Sequence, residues 1–154
     1  MENKNLPEIE IDLMRVEDLE EILEIEKRSF TNPWSKYAFL SELNENRFAT
    51  YIVIRADGKI IGYGGMWIIF DEAHVTNVAV LPEYRGMGIG ELIMRTLIDL
   101  AKKRGAVKMT LEVRKSNHVA QNLYTKLGFQ PTGIRRGYYS DNNEDAIIMW
   151  KDIE

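Results

Sequence analysis

The sequence predicts a mixed α/β fold, one sheet with helices on it, with elements in the order β-α-α-β-β-β-α-β-α-β-β. Three observations carry that prediction. The first is Arg85-Gly86-Met87-Gly88-Ile89-Gly90, three alternate glycines between a strand-like run, Val75 to Val80, and a helix-like run, Glu91 to Arg104. The second is that three strand patterns in succession precede this loop, where a dinucleotide-binding fold would alternate strand with helix from its start. The third is the alternation of strand and helix after the loop, ending in two strands, which makes a meander followed by crossovers.

Taken in order, Ile9 to Met14 alternates apolar and polar residues as a strand does, and Val16 to Ser29 carries Leu19, Ile22, Leu23, Ile25 and Glu26 at helical spacing. Asn32-Pro33-Trp34-Ser35 breaks the chain, with Ser35 placed to cap a second helix to about Asn44. Thr50 to Arg55 is a strand, Ala56-Asp57-Gly58-Lys59 a hairpin signal, and Ile60 to Phe70 a long strand interrupted by glycine. An Asp71-Glu72 turn leads into the strand before the glycine loop. The central helix ends on Lys103-Arg104-Gly105, basic residues in the last turn and glycine just past it. Val107 to Val113 is a strand, Asn117 to Leu127 a helix closed by Gly128, and Phe129 to Tyr138 and Asp145 to Trp150 are the final strands. No repeat, low-complexity tract or linker intervenes, so residues 1–154 are expected to form one domain.

Composition narrows the chemistry. A chain of 154 residues buries roughly two-thirds of its unfolded surface and needs no staple. Zero cysteines exclude disulfides, thiolate metal sites and an acyl-cysteine intermediate, and two histidines make a His-based metal centre an unexpected feature. The N-terminus is polar without a signal-peptide core, and no apolar run approaches the roughly 18 residues of a membrane span, so a cytoplasmic location is expected. A net charge of -4 gives no footprint for nucleic acid and is compatible with a positively charged acceptor.

The glycine loop reads as a phosphate cradle, because removing side chains where a strand enters a helix lets backbone N–H groups close around an anion. The dinucleotide fingerprint does not fit, since counting from Gly86 its sixth position is Glu91. The nucleoside-triphosphate loop does not fit either, since Gly90 is followed by Glu91-Leu92 rather than Lys-Ser/Thr. Arg85 to Gly90 instead matches Arg/Gln-x-x-Gly-x-Gly/Ala, the pyrophosphate loop of acetyl-CoA-dependent N-acetyltransferases.

Further segments extend the match: Asn77-Val78-Ala79-Val80, Leu111-Glu112-Val113-Arg114-Lys115-Ser116-Asn117, Leu123-Tyr124-Thr125-Lys126-Leu127-Gly128-Phe129, Gly133 to Tyr139 and Glu144 to Met149. On these residues the chain resembles the GNAT superfamily (the GNAT acyl-CoA N-acyltransferase fold) and, within it, the RimI type, the ribosomal-protein-alanine N-acetyltransferases. The resemblance implies acetyl-CoA as co-substrate, no metal, and a protein N-terminus as acceptor, the N-terminal alanine of a small-subunit ribosomal protein. It implies Glu112 as general base and Tyr124 as general acid. It places the acetyl-pantetheine arm on Val78, Ala79 and Val80, and the pyrophosphate on Arg85, Gly86, Met87, Gly88, Ile89, Gly90 and Glu91. Asn117 matches a cofactor-binding asparagine and is equally an N-cap. Trp34, Tyr138 and Tyr139 fall near the acceptor groove, with Tyr138 the substrate-contacting candidate. His74 is an alternative base read as structural, His118 is expected in solvent, and Met87 and Met94 are read as core or helix residues. Two other functions stay open on the sequence: acetylation of a lysine side chain or small amine, and a non-catalytic acyl-CoA-binding module.

Overall fold

The computed structural model describes residues 7–154. It contains seven strands, β1 (Ile9–Leu13), β2 (Ala49–Ala56), β3 (Lys59–Ile69), β4 (Glu72–Val80), β5 (Lys108–Arg114), β6 (Gln130–Tyr139) and β7 (Glu144–Asp152). Four helices accompany them: α1 (Leu19–Ser29), α2 (Lys36–Asn44), α3 (Ile89–Lys103) and α4 (His118–Lys126). The strands form one sheet in the order β1-β2-β3-β4-β5-β7-β6, antiparallel except for the parallel pair β4 and β5.

Local chemistry explains most of these boundaries. Asp57 and Gly58 both have positive φ, the backbone of a type I′ hairpin turn between β2 and β3. Ser35 accepts a hydrogen bond from the Ala38 N–H at the start of α2, and the Gly105 φ of +90° ends α3. The first helix begins later than its periodicity suggests. The Asp18 carboxylate reaches back to the Arg15 N–H at 2.9 Å and out to Arg55, so residues Val16–Asp18 wind as a tight 3₁₀ turn before α1. Likewise β4 begins at Glu72 rather than Val75, because its first residues pair with both β3 and β5.

Glycines in β3 set how closely the layers approach. A Cβ at Gly64 would overlap Ile93 of α3, and one at Gly65 would overlap the Tyr51 ring on the sheet's other face. The core that results takes Ile93, Met94 and Leu97 from α3 and Leu19, Ile22 and Ile25 from α1. Among the described residues no helix is long and apolar enough to cross a membrane.

One irregularity positions the site. The β4–β5 pairing runs only from Glu72↔Lys108 to His74↔Thr110, although β4 continues to Val80 and β5 to Arg114. Gly65 pairs with Asn77 and Met66 with Val75, which leaves Thr76 as an extra residue on β4. A bulge of this kind bends and twists its strand. Beyond it the two parallel strands part.

Candidate active site

The parted strands open a cleft of about 600 Å³, walled by Val75 to Val78 of β4, Leu111 to Arg114 of β5, Ala120 and Tyr124 of α4, Tyr138 and Tyr139 of β6, and the segment between α1 and α2. Past Val75, β4 hydrogen-bonds to β3 along one edge only. Its other edge, including Val78, faces the gap with main-chain groups available to an extended ligand, whereas Ala79 turns its main-chain groups toward β3 and the Val80 carbonyl accepts from Arg85.

Glu112 lies on the cleft wall of β5 with its side chain 9 % exposed. His74, read from sequence as structural, meets it across the end of the β4–β5 pairing, with Nε2 2.7 Å from Glu112 Oε2. Arg135 Nε approaches the other carboxylate oxygen at 3.5 Å. Burial pushes the Glu112 pKa up, but the His74 hydrogen bond and the charges of His74 and Arg135 outweigh it, so the carboxyl sits below its ordinary range. Glu112 is therefore ionised at neutral pH. His118 is exposed, as expected.

Tyr124 packs its ring edge-on against Phe129, centroids 5.9 Å apart, on the face of α4 that borders the cleft. Burial alone pushes its phenol up to about 12, so it holds its proton across the neutral range. Tyr138 reaches the cleft because β6 is irregular: Arg135 pairs with Ala146 and Tyr139 with Glu144, so residues 136–138 bulge opposite Asp145 alone. The neighbouring Tyr139 is fixed by Arg114, whose guanidinium lies 4.0 Å from the ring centroid and pairs with Asp141 at 2.8 Å and Glu144 at 3.2 Å.

The glycine loop fits a pyrophosphate. Gly86 and Gly88 have φ of +78° and +81°, and a Cβ built on either meets nothing within 4 Å, so open space lies in front of the backbone. The first backbone hydrogen bond at this helix end runs from Leu92 N–H to Gly88 O, leaving the preceding N–H groups free to face an anion. The Glu91 carboxylate in the first turn is drawn aside by Arg95 at 2.9 Å and Lys126 at 2.6 Å. Arg85 braces the loop from behind through Nε to the Val80 carbonyl at 3.1 Å. Asn117 caps α4, its Oδ1 accepting from the Ala120 N–H, and also lines the cleft. Met87 departs from the expected core position: between two positive-φ glycines its side chain turns outward and is 67 % exposed, whereas Met94 is buried in α3.

Glu26 has no counterpart in the sequence reading beyond its place in a helical stripe. It is 1 % exposed yet lines the cleft, with Oε1 accepting from the Trp34 N–H at 2.8 Å and Oε2 from the Tyr63 hydroxyl. The available signal was a carboxylate on the same apolar face as Ile22 and Ile25. Burial pushes its pKa up to about 7, against the lowering effect of the Trp34 hydrogen bond. Between the ordinary carboxylate value near 4.3 and pH 7, the folded protein holds a proton that the unfolded chain has lost, so stability falls as pH rises through that window. Glu26→Gln should remove this cost. It should be more stable than wild type at pH 8 by on the order of 3 kcal/mol, with the gain absent below about pH 4. Urea unfolding at both pH values measures it, and equal stabilities at pH 8 would refute the assignment.

A cleft between parted parallel strands, a glycine-rich helix entry beside it, and a carboxylate and a phenol on its walls define an acyl-CoA-dependent transferase. The family model described as Acetyltransferase (GNAT) family matches residues 19–129, and the chain belongs to that family, as an acetyl-CoA-dependent N-acetyltransferase. Over 140 residues the chain is 53 % identical to a candidate ribosomal protein bS18-alanine N-acetyltransferase of Bacillus subtilis (strain 168), covering 91 % of this chain and 93 % of that protein. The crystal structure of the ribosomal-protein-S18-alanine N-acetyltransferase from Escherichia coli superposes with a TM-score of 0.88 at 36 % identity, over 96 % of this chain and 95 % of that one. The PaiA N-acetyltransferase from Thermoplasma acidophilum, solved in complex with coenzyme A, superposes with a TM-score of 0.78 at 25 % identity, over 94 % of this chain and 99 % of that one.

Proposed function

We propose that this protein acetylates the N-terminal α-amine of a small-subunit ribosomal protein, an alanine at the first position, with acetyl-CoA as donor. The observation that carries the reading is the parting of β4 and β5 beyond His74 and Thr110, which sets an available strand edge, Glu112 and Tyr124 around one cleft. The names of the Bacillus and Escherichia relatives support the acceptor. The reading places the enzyme in the cytoplasm.

Bound acetyl-CoA supplies an activated acyl carbon. The residues of this chain do the rest. The N–H groups from Gly86 to Glu91 hold the pyrophosphate, with Arg85 bracing them, and the β4 segment Val78 to Val80 aligns the pantetheine arm. Glu112, ionised in its resting state, takes a proton from the acceptor nitrogen as the amide bond forms. Tyr124 gives its proton to the departing sulfur, which as a thiol has an ordinary pKa near 8.5 and leaves more readily when protonated. Tyr138 and Trp34 flank the acceptor, and the acidic lining favours its positive charge.

Chemistry favours an N-terminus over lysine. An α-amine has an ordinary pKa near 7.7–8.0 against about 10.4 for lysine, so far more of it is neutral at physiological pH. A peptide beginning with alanine and containing an internal lysine should be acetylated on the α-amine alone, and blocking that amine should abolish turnover. Tandem mass spectrometry locates the acetyl group. Modification mainly on lysine, or efficient turnover of free polyamines alone, would refute the acceptor.

A further inference from the structure

We propose that Glu26 is a second base of the reaction, taking from the bound acceptor the proton that converts its ammonium into the attacking amine. The proposal rests on the α-amine reading above. An N-terminal ammonium carries three protons on nitrogen and the amide product keeps one. Of the two that leave, one is balanced by the proton that the thiol of coenzyme A gains, and the other goes to solvent. The cleft therefore handles two transfers, and of the three carboxyl groups that line it Asp141 is paired with Arg114 at 2.8 Å, which leaves Glu26 from α1 and Glu112 from β5, in different electrostatic settings.

The two groups suit different transfers. Glu112 sits below the ordinary carboxylate range, so drawing a proton from an ammonium near 7.7–8.0 runs steeply uphill. For Glu26, at about 7, the same step is uphill by only about 10-fold. In that step an N–H bond of the ammonium breaks and an O–H bond forms on Glu26, leaving an uncharged amine and an uncharged carboxyl, the pairing that burial favours. The second proton leaves once nitrogen has bonded to the acyl carbon. It is then acidic enough for a weak base such as Glu112. Carboxyls whose surroundings push their pKa values apart divide acid–base work in this way.

Geometry leaves Glu26 able to act. Each of its oxygens accepts one hydrogen bond and keeps a further lone pair. At 1 % exposure it works through one bridging water, a reach that general bases tolerate. The titratable groups around it are Tyr63 of β3, Tyr51 of β2 with Glu42 of α2 hydrogen-bonded behind it, and Glu112 of β5 on the same cleft.

Glu26→Gln tests this, because its amide oxygen can accept from Trp34 and its amide nitrogen can donate to Tyr63, but it does not titrate. With the alanyl peptide as acceptor, kcat/KM should fall about 10²-fold near pH 6.5 and recover toward wild type by about pH 9.5, where the acceptor is already neutral. A peptide with a less basic N-terminal amine should shift that recovery to correspondingly lower pH, a response no purely structural defect would give. Wild-type kcat/KM across the range, or a loss independent of pH, overturns the proposal. Glu112→Gln, measured in parallel, separates the readings: full activity there removes Glu112 from the mechanism and leaves the Glu26 result standing. A wild type inert toward the alanyl peptide removes the acceptor assignment, and this proposal with it.

Discussion

Glu112→Gln and Tyr124→Phe are each expected to lower kcat by about 10²–10⁴-fold while acetyl-CoA affinity changes little. The two losses should differ in kind. Glutamine keeps the size of Glu112 and a hydrogen bond to His74, but it cannot accept a proton at neutral pH, and it leaves Arg135 without its carboxylate partner. Phenylalanine keeps the Tyr124 ring on Phe129 and removes only the hydroxyl, so the packing of α4 should be intact. The phenol matters only while sulfur departs, so a donor with a thiol of lower pKa, needing less protonation, should restore Tyr124→Phe more than Glu112→Gln. Single-turnover kinetics with an alanyl peptide measures both. Near wild-type rates in both variants would dismiss the pair, and equal restoration by the better leaving group would dismiss the division of labour between them.

Much of this site was legible because its parts are local in sequence. The glycines of residues 86–90, the Asp57-Gly58 turn and the caps at Ser35 and Asn117 act within a few residues of themselves, and pattern reasoning reaches that far. The sheet order is not local. That β7 lies between β5 and β6 follows from pairings such as Leu111↔Met149, which strand propensity does not encode. Nor could periodicity reveal the bulge at Thr76 that parts β4 from β5, since it appears only as one residue without a partner.

The electrostatics of the cleft were the least accessible. His74 and Glu112 lie 38 positions apart and meet only where the parallel pairing stops, so neither segment specifies the other as its hydrogen-bond partner, although the resemblance singles out Glu112. Glu26 looked like one turn of an amphipathic helix. Its character comes from Tyr63 on β3 and from the backbone of Trp34 beyond the helix end, neither of which its own segment specifies. Local patterns identified residue types suited to the chemistry, and tertiary pairing set their protonation states.

Gly88 offers the other large effect, and it separates two reasons for a glycine. Its φ of +81° disfavours any side chain, and a β-branched one most, so Gly88→Val should lose both stability and cofactor binding. Gly88→Asn is more informative, because asparagine tolerates the left-handed backbone while placing a side chain where a Cβ otherwise meets nothing within 4 Å. If that open space is the pyrophosphate cradle, Gly88→Asn should melt near the wild-type temperature yet bind coenzyme A at least about 10²-fold more weakly. That is the consequence of displacing hydrogen bonds to a charged group at about 1.5–3 kcal/mol each. Gly90 supplies the control. A Cβ there meets only Leu123 at 3.5 Å, an ordinary contact that the fold accepts, so Gly90→Ala should leave stability nearly unchanged and report on ligand approach alone. Calorimetric titration of coenzyme A into each folded variant gives the answer: wild-type affinity in Gly88→Asn would mean that the glycine serves the turn and that the pyrophosphate lies elsewhere.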